Sequence, residues 1–323
     1  MSPCISQLLI LLLLSPTLVL SYHIPFAQVT LLLFFFSVSP TLKSKRALRE
    51  RTTSYQVNLF PTMVDLKVAV ITGTTSNLGI NIAYRILEEL PKDTNVTLVV
   101  TSRTLPKAQQ VIKDIVKYAK EHVPDRTGQL EFDFLLVDFT DMVSILSAYY
   151  DLSKKFKTID YFFVNAAQGT YAGIDWIGAT KAVLSNPIEA VTYPLYKIQK
   201  VGVKSRDDLG LVFQANVFGP YYLIHKIKPL LKEGSVIVWI SSIMLKPEYL
   251  SYSDLQLLRC PYPYDGSKRL LDPLHLGAYR IWNKRAVKQS VTHIGVFAGF
   301  WFFHCVHVFT YHGMLLLFYM ARW

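Results

Sequence analysis

Tyr264 and Lys268 stand four residues apart in the run Tyr-Asp-Gly-Ser-Lys. On a helix that spacing puts both side chains on one face. A free tyrosine has a pKa near about 10, too high to exchange protons readily at neutral pH. A neighbouring ammonium favours the tyrosinate, so the pair suits general acid–base work. The spacing alone selects nothing, because Tyr150/Lys154, Tyr193/Lys197, Tyr196/Lys200 and Tyr222/Lys226 share it. Those read as solvated helix pairs. Position singles out Tyr264/Lys268, which lies 22 residues beyond Ser242, a hydroxyl at the end of a β-branched run.

A second constellation lies upstream, in Thr72-Gly73-Thr74-Thr75-Ser76-Asn77-Leu78-Gly79. A glycine-containing loop that opens a helix offers backbone N–H groups and a helix N-terminus to a pyrophosphate. Gly73 suits the tight turn, and Gly79 a close approach of helix to strand or ligand. Asn77 occupies a place where a third glycine is common, and asparagine tolerates left-handed geometry. The next strand ends in Thr101-Ser102-Arg103. A hydroxyl and a cation there, rather than an acid, suit the 2′-phosphate of NADP. Asp138, Asn165 and Ala166 follow the third and fourth strand runs, at the edge where ligands of open α/β sheets bind. Asp138 also reads as a cap for the next helix.

The elements that must position these groups alternate. Strand patterns at 67–72, 96–101, 132–137, 159–164 and 235–240 are separated by helix patterns at 78–90, 106–122, 141–156 and 209–231. Alternation of this kind implies a doubly wound parallel sheet, a three-layer α/β/α domain of the Rossmann type, over about 63–300. The 323 residues are 51% hydrophobic and 18% charged, which excludes a disordered chain. Cys4, Cys260 and Cys305 form no CxxC pair. The net charge of +11 gathers into no basic patch interleaved with aromatics, so nucleic acid is not an expected partner.

Both ends are apolar. Residues 1–42 contain no formal charge, and Lys43, Lys45, Arg46, Arg49 and Arg51 follow. Residues 1–62 read either as a membrane anchor that leaves the bulk of the chain cytoplasmic, or as a start placed upstream of Met63. Residues 301–323 read as a membrane-associated segment of a substrate lobe that stops short. His304, Cys305, His307 and His312 there lack the carboxylate or second thiolate a metal site would add.

TGTTSNLG, VNAAQG, QANVFGPYY, WISSIM and YDGSK, in this order, resemble the short-chain dehydrogenase/reductase superfamily. The phrases VVTSRTLP, LLVDFT, NAAQGTYAGIDWIGA and YKIQKVGVKS are similar to the 3-ketosteroid (3-keto sterol) reductases of ergosterol biosynthesis. That resemblance implies NADPH as cofactor and reduction of a sterol C3 ketone to the 3β-alcohol during C-4 demethylation. It implies Tyr264 as general acid and Ser242 as the group polarising the carbonyl. Lys268 would be the ribose and pKa-tuning partner, and Asn216 the support of a proton relay. It further implies the endoplasmic reticulum membrane and lipid droplets, with a sterol C-4 methyl oxidase, a decarboxylating sterol dehydrogenase and a scaffold as neighbours.

Three departures open a second reading, a truncated and impaired relative that acts only as a partner in the sterol biosynthetic complex. A reductase of another steroid or lipid ketone is the remaining alternative. Around Gly295 the family's Pro-Gly pair and following hydroxyl are replaced by Ile294-Gly295-Val296-Phe297-Ala298. Pro273 should bend the helix that carries Tyr264, at about 3 kcal/mol. The last strand of the sheet is expected to be missing.

Overall fold

The computed structural model describes residues 66–243 and 245–295, together with His312, Leu316 and Tyr319. The extension over 1–62, the unit Ser15–Val64 and the segment 301–323, apart from those three residues, lie outside them. So do His304, Cys305 and His307, and the stretch after β8 where the last strand is expected to be missing. Among the described residues no helix is long and apolar enough to cross a membrane.

Six strands form one parallel sheet: β1 (Leu66–Ile71), β2 (Asn95–Ser102), β3 (Leu130–Leu136), β4 (Ile159–Val164), β7 (Leu231–Ser241) and β8 (Lys288–His293). Their order is β3-β2-β1-β4-β7-β8, every neighbouring pair parallel. The order runs outward from β1 in both directions, so the sheet reverses between β1 and β4. That switch point opens a crevice at the carboxyl edge. The pleat sends alternate residues to opposite faces. Ile71, Leu98 and Val100 pack against α1 (Asn77–Glu89) and α2 (Leu105–His122) through Ile82, Ile86 and Ile115. Val70, Val99 and Phe162 pack on the other face, with Ile145 and Leu152 of α3 (Met142–Lys155).

A small antiparallel hairpin, β5 (Tyr171–Ile174) and β6 (Lys197–Gln199), stands apart from the main sheet. Between its strands lie α4 (Trp176–Ser185) and α5 (Pro187–Thr192). None of these four elements shows a periodic pattern in the sequence. The hairpin also changes the reading of the spaced Tyr/Lys pairs: Tyr193/Lys197 and Tyr196/Lys200 fall on a turn and a strand rather than on helices.

The helix expected over 209–231 is shorter and interrupted. Here α6 comprises Leu211–Phe213, a π turn at Gln214–Phe218, and Gly219–Lys226. Pro229 sits in a 3₁₀ turn, and Leu231 already belongs to β7.

Pro273 also acts differently from expectation. The helix breaks at Leu270, which separates α7 (Pro263–Arg269) from α8 (Leu271–Asn283). Pro273 is therefore third in α8, where the N–H it lacks would have no partner within that helix. The expected penalty does not arise, and Tyr264 and Lys268 remain together on α7.

The two edges of the sheet are fastened differently. Asp160, 5% exposed, accepts the Val68 N–H at 3.0 Å and pairs with Lys232 at 3.0 Å near the amino edge. On the outer strand β3, Asp133 Oδ1 accepts the Phe134 N–H at 2.7 Å, and Lys155 Nζ reaches the Phe134 carbonyl at 3.4 Å. Lys155 also pairs with Asp133 at 2.9 Å and lies 5.3 Å from the Phe134 ring centroid.

Candidate active site

The loop between β1 and α1 is held by buried hydroxyls. Thr72, with no exposed surface, donates its Oγ1–H to the Phe163 carbonyl at 3.1 Å. The same oxygen accepts the N–H groups of Asn165 and Ala166, each at 2.9 Å. Asn165 returns its amide N–H to Thr72 O at 2.9 Å, Gly73 O at 3.1 Å and Ser76 Oγ at 3.2 Å. Two of the predicted segments are thus a single unit. Removing the hydroxyl should show this directly: Thr72→Val orphans two backbone donors, so unfolding in urea should show a loss of about 1–3 kcal/mol.

Gly73 has φ +66°, and a Cβ there would lie 2.9 Å from Ala166 Cα. At Gly79 a Cβ would lie 2.3 Å from the Gly73 carbonyl oxygen. Both positions therefore require glycine. Ser76 caps α1, accepting the Gly79 N–H at 3.0 Å. Asn77 is not left-handed, contrary to expectation: it is the first residue of α1, and its side chain accepts from Asn81 at 3.0 Å. Asn77 and Leu78 carry N–H groups with no partner inside the helix. The Leu78 side chain is core, so only its backbone can face a ligand. Thr75 is exposed. Sequence reading passed over Thr74 and Thr101, whose hydroxyls accept the N–H groups of Thr101 at 3.0 Å and Gly73 at 2.7 Å.

Ser102 ends β2 with its Oγ accepting the Thr104 N–H at 3.1 Å, and Arg103 beside it is exposed and makes no ion pair among the described residues. Asp138 does not cap α3. Its carboxylate accepts from the Thr140 N–H and hydroxyl at 2.9 and 2.7 Å, while Asp141 caps the helix. Gly295, just after β8, has φ +71°, which explains why glycine persists although the expected proline before it does not.

At the same carboxyl edge, Lys268 is 4% exposed and donates from Nζ to the Ile240 carbonyl at 2.7 Å. Its ammonium lies 5.8 Å from the Tyr264 ring centroid, so the two do share one side of α7. Ser242 directly follows β7, and the hydroxyl of Ser241 before it reaches the Lys268 carbonyl at 3.5 Å. Burial pushes the Tyr264 hydroxyl up to about 12, with the Asp265 carboxylate adding to the rise. Burial draws Lys268 down to about 8.

Asn216, 2% exposed, sits in the π turn of α6. Its Oδ1 accepts the Gln168 N–H at 2.7 Å, and its Nδ2 donates to Gln168 O and Ser267 Oγ, each at 2.9 Å. The turn is wide because the Gly219 N–H reaches back to the Gln214 carbonyl, five residues away. π turns of this kind recur at functional sites. Here the turn brings the strand-four loop, α6 and α7 onto one amide.

No family model matches the chain. A curated relative from Debaryomyces hansenii, a 3-keto-steroid reductase, is 64% identical over 257 residues, 79% of this chain and 74% of that protein. The 3-keto-steroid reductase of Candida albicans is 64% identical over 259 residues, 80% and 75% of the two chains. That of Saccharomyces cerevisiae is 55% identical over 257 residues, 79% and 74%. Among solved structures, a metagenomic short-chain oxidoreductase in complex with NADP is 19% identical, with a TM-score of 0.46 over 71% of this chain and 82% of that one. With identity of 55–64% over about four-fifths of its length, the chain belongs to the 3-keto-steroid reductase family.

Proposed function

We propose that this chain reduces the C3 ketone of a sterol to the 3β-alcohol with NADPH. The observation that carries the reading is the placement of Tyr264 and the buried Lys268 on α7, at the sheet edge where the glycine loop opens α1. The residues fit the cofactor: Gly73 and Gly79 leave no room for a Cβ, and the first N–H groups of α1 are open to phosphate. Asn165, Ala166 and Gly295 line the same edge, with Asp138 and Ser102 at its far end.

NADPH supplies, when bound, the hydride that C3 accepts. Ser242 Oγ donates a hydrogen bond to the carbonyl oxygen and draws charge toward it. Tyr264 Oη then transfers its proton to that oxygen as the C3–O bond becomes single. The Lys268 ammonium stabilises the tyrosinate left behind. Asn216 holds the Gln168 and Ser267 positions about this group and offers the polar route by which a proton returns to Tyr264.

Arg103 is the group placed to meet a 2′-phosphate. Charge-assisted hydrogen bonds are worth about 1.5–3 kcal/mol, so Arg103→Ala should weaken NADPH binding roughly 10- to 100-fold. NADH binding, measured by the same fluorescence titration, should change little. Equal losses for both would place the 2′-phosphate elsewhere.

The reading extends to the membrane. Sterol substrates partition into lipid, and α4 buries none of its side chains while exposing Trp176, Ile177 and Leu184. We place the chain at the endoplasmic reticulum membrane and lipid droplets, with its catalytic domain toward the cytoplasm. The neighbours it would serve there are a sterol C-4 methyl oxidase, a decarboxylating sterol dehydrogenase and their scaffold. The deciding experiment for the reaction is NADPH-dependent reduction of a 3-keto sterol by the expressed chain. Absence of turnover with cofactor binding retained would favour a partner role instead.

A further inference from the structure

Helix α7 is only seven residues long, and its N-cap, Tyr262, offers no side-chain bond to it. So short a helix does not hold itself together in isolation. Its first turn is held from another element. Gln199, the last residue of β6, accepts the Tyr264 N–H on Oε1 at 2.8 Å. From Nε2 the same side chain donates to Asp265 Oδ2, also at 2.8 Å. Asp265 is 3% exposed, and a carboxylate so buried requires such a donor.

Both halves of the amide are thus in use, one as acceptor and one as donor, on consecutive residues of the catalytic helix. Leucine at 199 could do neither, and an ionised glutamate only the first. The other strand of the hairpin approaches the same place: the Tyr171 ring lies 6.4 Å from the Tyr264 ring.

We infer that Gln199 is a positioning residue for Tyr264, fixing the first turn of α7 and with it the place of the proton-donating hydroxyl. The hairpin β5–β6 thereby becomes part of the catalytic frame rather than a surface ornament. The inference rests on the reductase reading, because only a proton donor at 264 makes that position matter.

The test uses the full chain with Gln199→Leu and Gln199→Glu. Three quantities are measured: kcat and KM for a 3-keto steroid, NADPH affinity by fluorescence, and hydrogen exchange at the Tyr264 amide without ligands. A small displacement at a reacting group can cost roughly 100-fold, so kcat in Gln199→Leu should fall by about that factor. NADPH affinity and KM should stay within about threefold, because Gln199 touches neither the glycine loop nor Lys268, whose ammonium is held by the Ile240 carbonyl. The Tyr264 amide should exchange faster in the leucine variant and remain protected in the glutamate variant, which keeps the acceptor. Glutamate should still lower kcat, by roughly tenfold, because it faces Asp265 without a donor. Wild-type kcat in either variant, or unchanged exchange in Gln199→Leu, overturns the inference. If the leucine variant fails to fold, kcat in the glutamate variant decides. Failure of the wild-type chain to reduce the steroid would sink the reductase reading, and the exchange data would still judge the cap.

Discussion

Tyr264→Phe should remove turnover by roughly 10²–10⁴-fold, the range general acid catalysis supplies. NADPH binding should persist, because the phosphate-facing backbone of α1 and the Arg103 side chain are untouched. The phenylalanine ring keeps the contact with Tyr171 at 6.4 Å and the Lys268 ammonium over its face, so stability should change little. Loss of binding together with turnover would mean that the hydroxyl holds the cofactor as well as donating the proton. The pH dependence follows from the same pair. Reduction requires Tyr264 protonated, which holds at every pH below about 12. It also requires Lys268 charged, and that charge is lost as pH rises through about 8. The rate of reduction should therefore be level near neutrality and decline above pH 8. A rate that climbed through that interval would contradict the role given to Lys268.

Gly79→Ala should be nearly as damaging, by a different route. The added Cβ would meet the Gly73 carbonyl oxygen at 2.3 Å and Thr74 Cα at 2.7 Å, both backbone atoms that cannot rotate away. Either α1 or the loop must shift, and the donors that would hold the pyrophosphate shift with it. A displacement of that kind should weaken NADPH binding roughly 100-fold. Overpacking of this sort costs about 1–3 kcal/mol of stability, readable in urea unfolding. Gly277→Ala supplies the control. Gly277 is exposed in α8 with nothing within 4 Å of a new Cβ, so binding should be unaffected. Stability there should rise by about 0.5–1 kcal/mol, as expected for glycine replaced in an exposed helix. Equal behaviour of the two variants would show that the glycine loop does not set the affinity.

What could be read from the chain alone depended on how local the information was. The strands of the main sheet were legible because buried parallel strands are runs such as Val68-Ala-Val-Ile71, bounded by turn residues. Tyr264, Lys268 and the glycine loop were legible because their spacing is short and their order along a doubly wound sheet is informative. The π turn left no such trace: residues 209–231 carry one apolar stripe, and only the contacts of Asn216 reveal where the helix widens. Leu230 and Leu231 extended that stripe falsely, since Leu231 serves the sheet. The hairpin escaped notice because strands of four and three residues are too short to show alternation. Gln199 was invisible for another reason. A glutamine in a Lys-Ile-Gln run is unremarkable until the chain returns 65 residues later to place Tyr264 against it.

The outer strand β3 raises a matter of behaviour in concentrated solution. A sheet margin presents free backbone groups on which another chain can build. At Phe134 both are already engaged, the N–H by Asp133 and the carbonyl by Lys155, and the two side chains neutralise each other. The ammonium also rides over a phenyl ring that is 37% exposed, covering apolar surface that would invite stacking. Residues 133, 134 and 155 thus leave neither backbone group of Phe134 open for another chain to pair with, at the margin of the sheet farthest from β8.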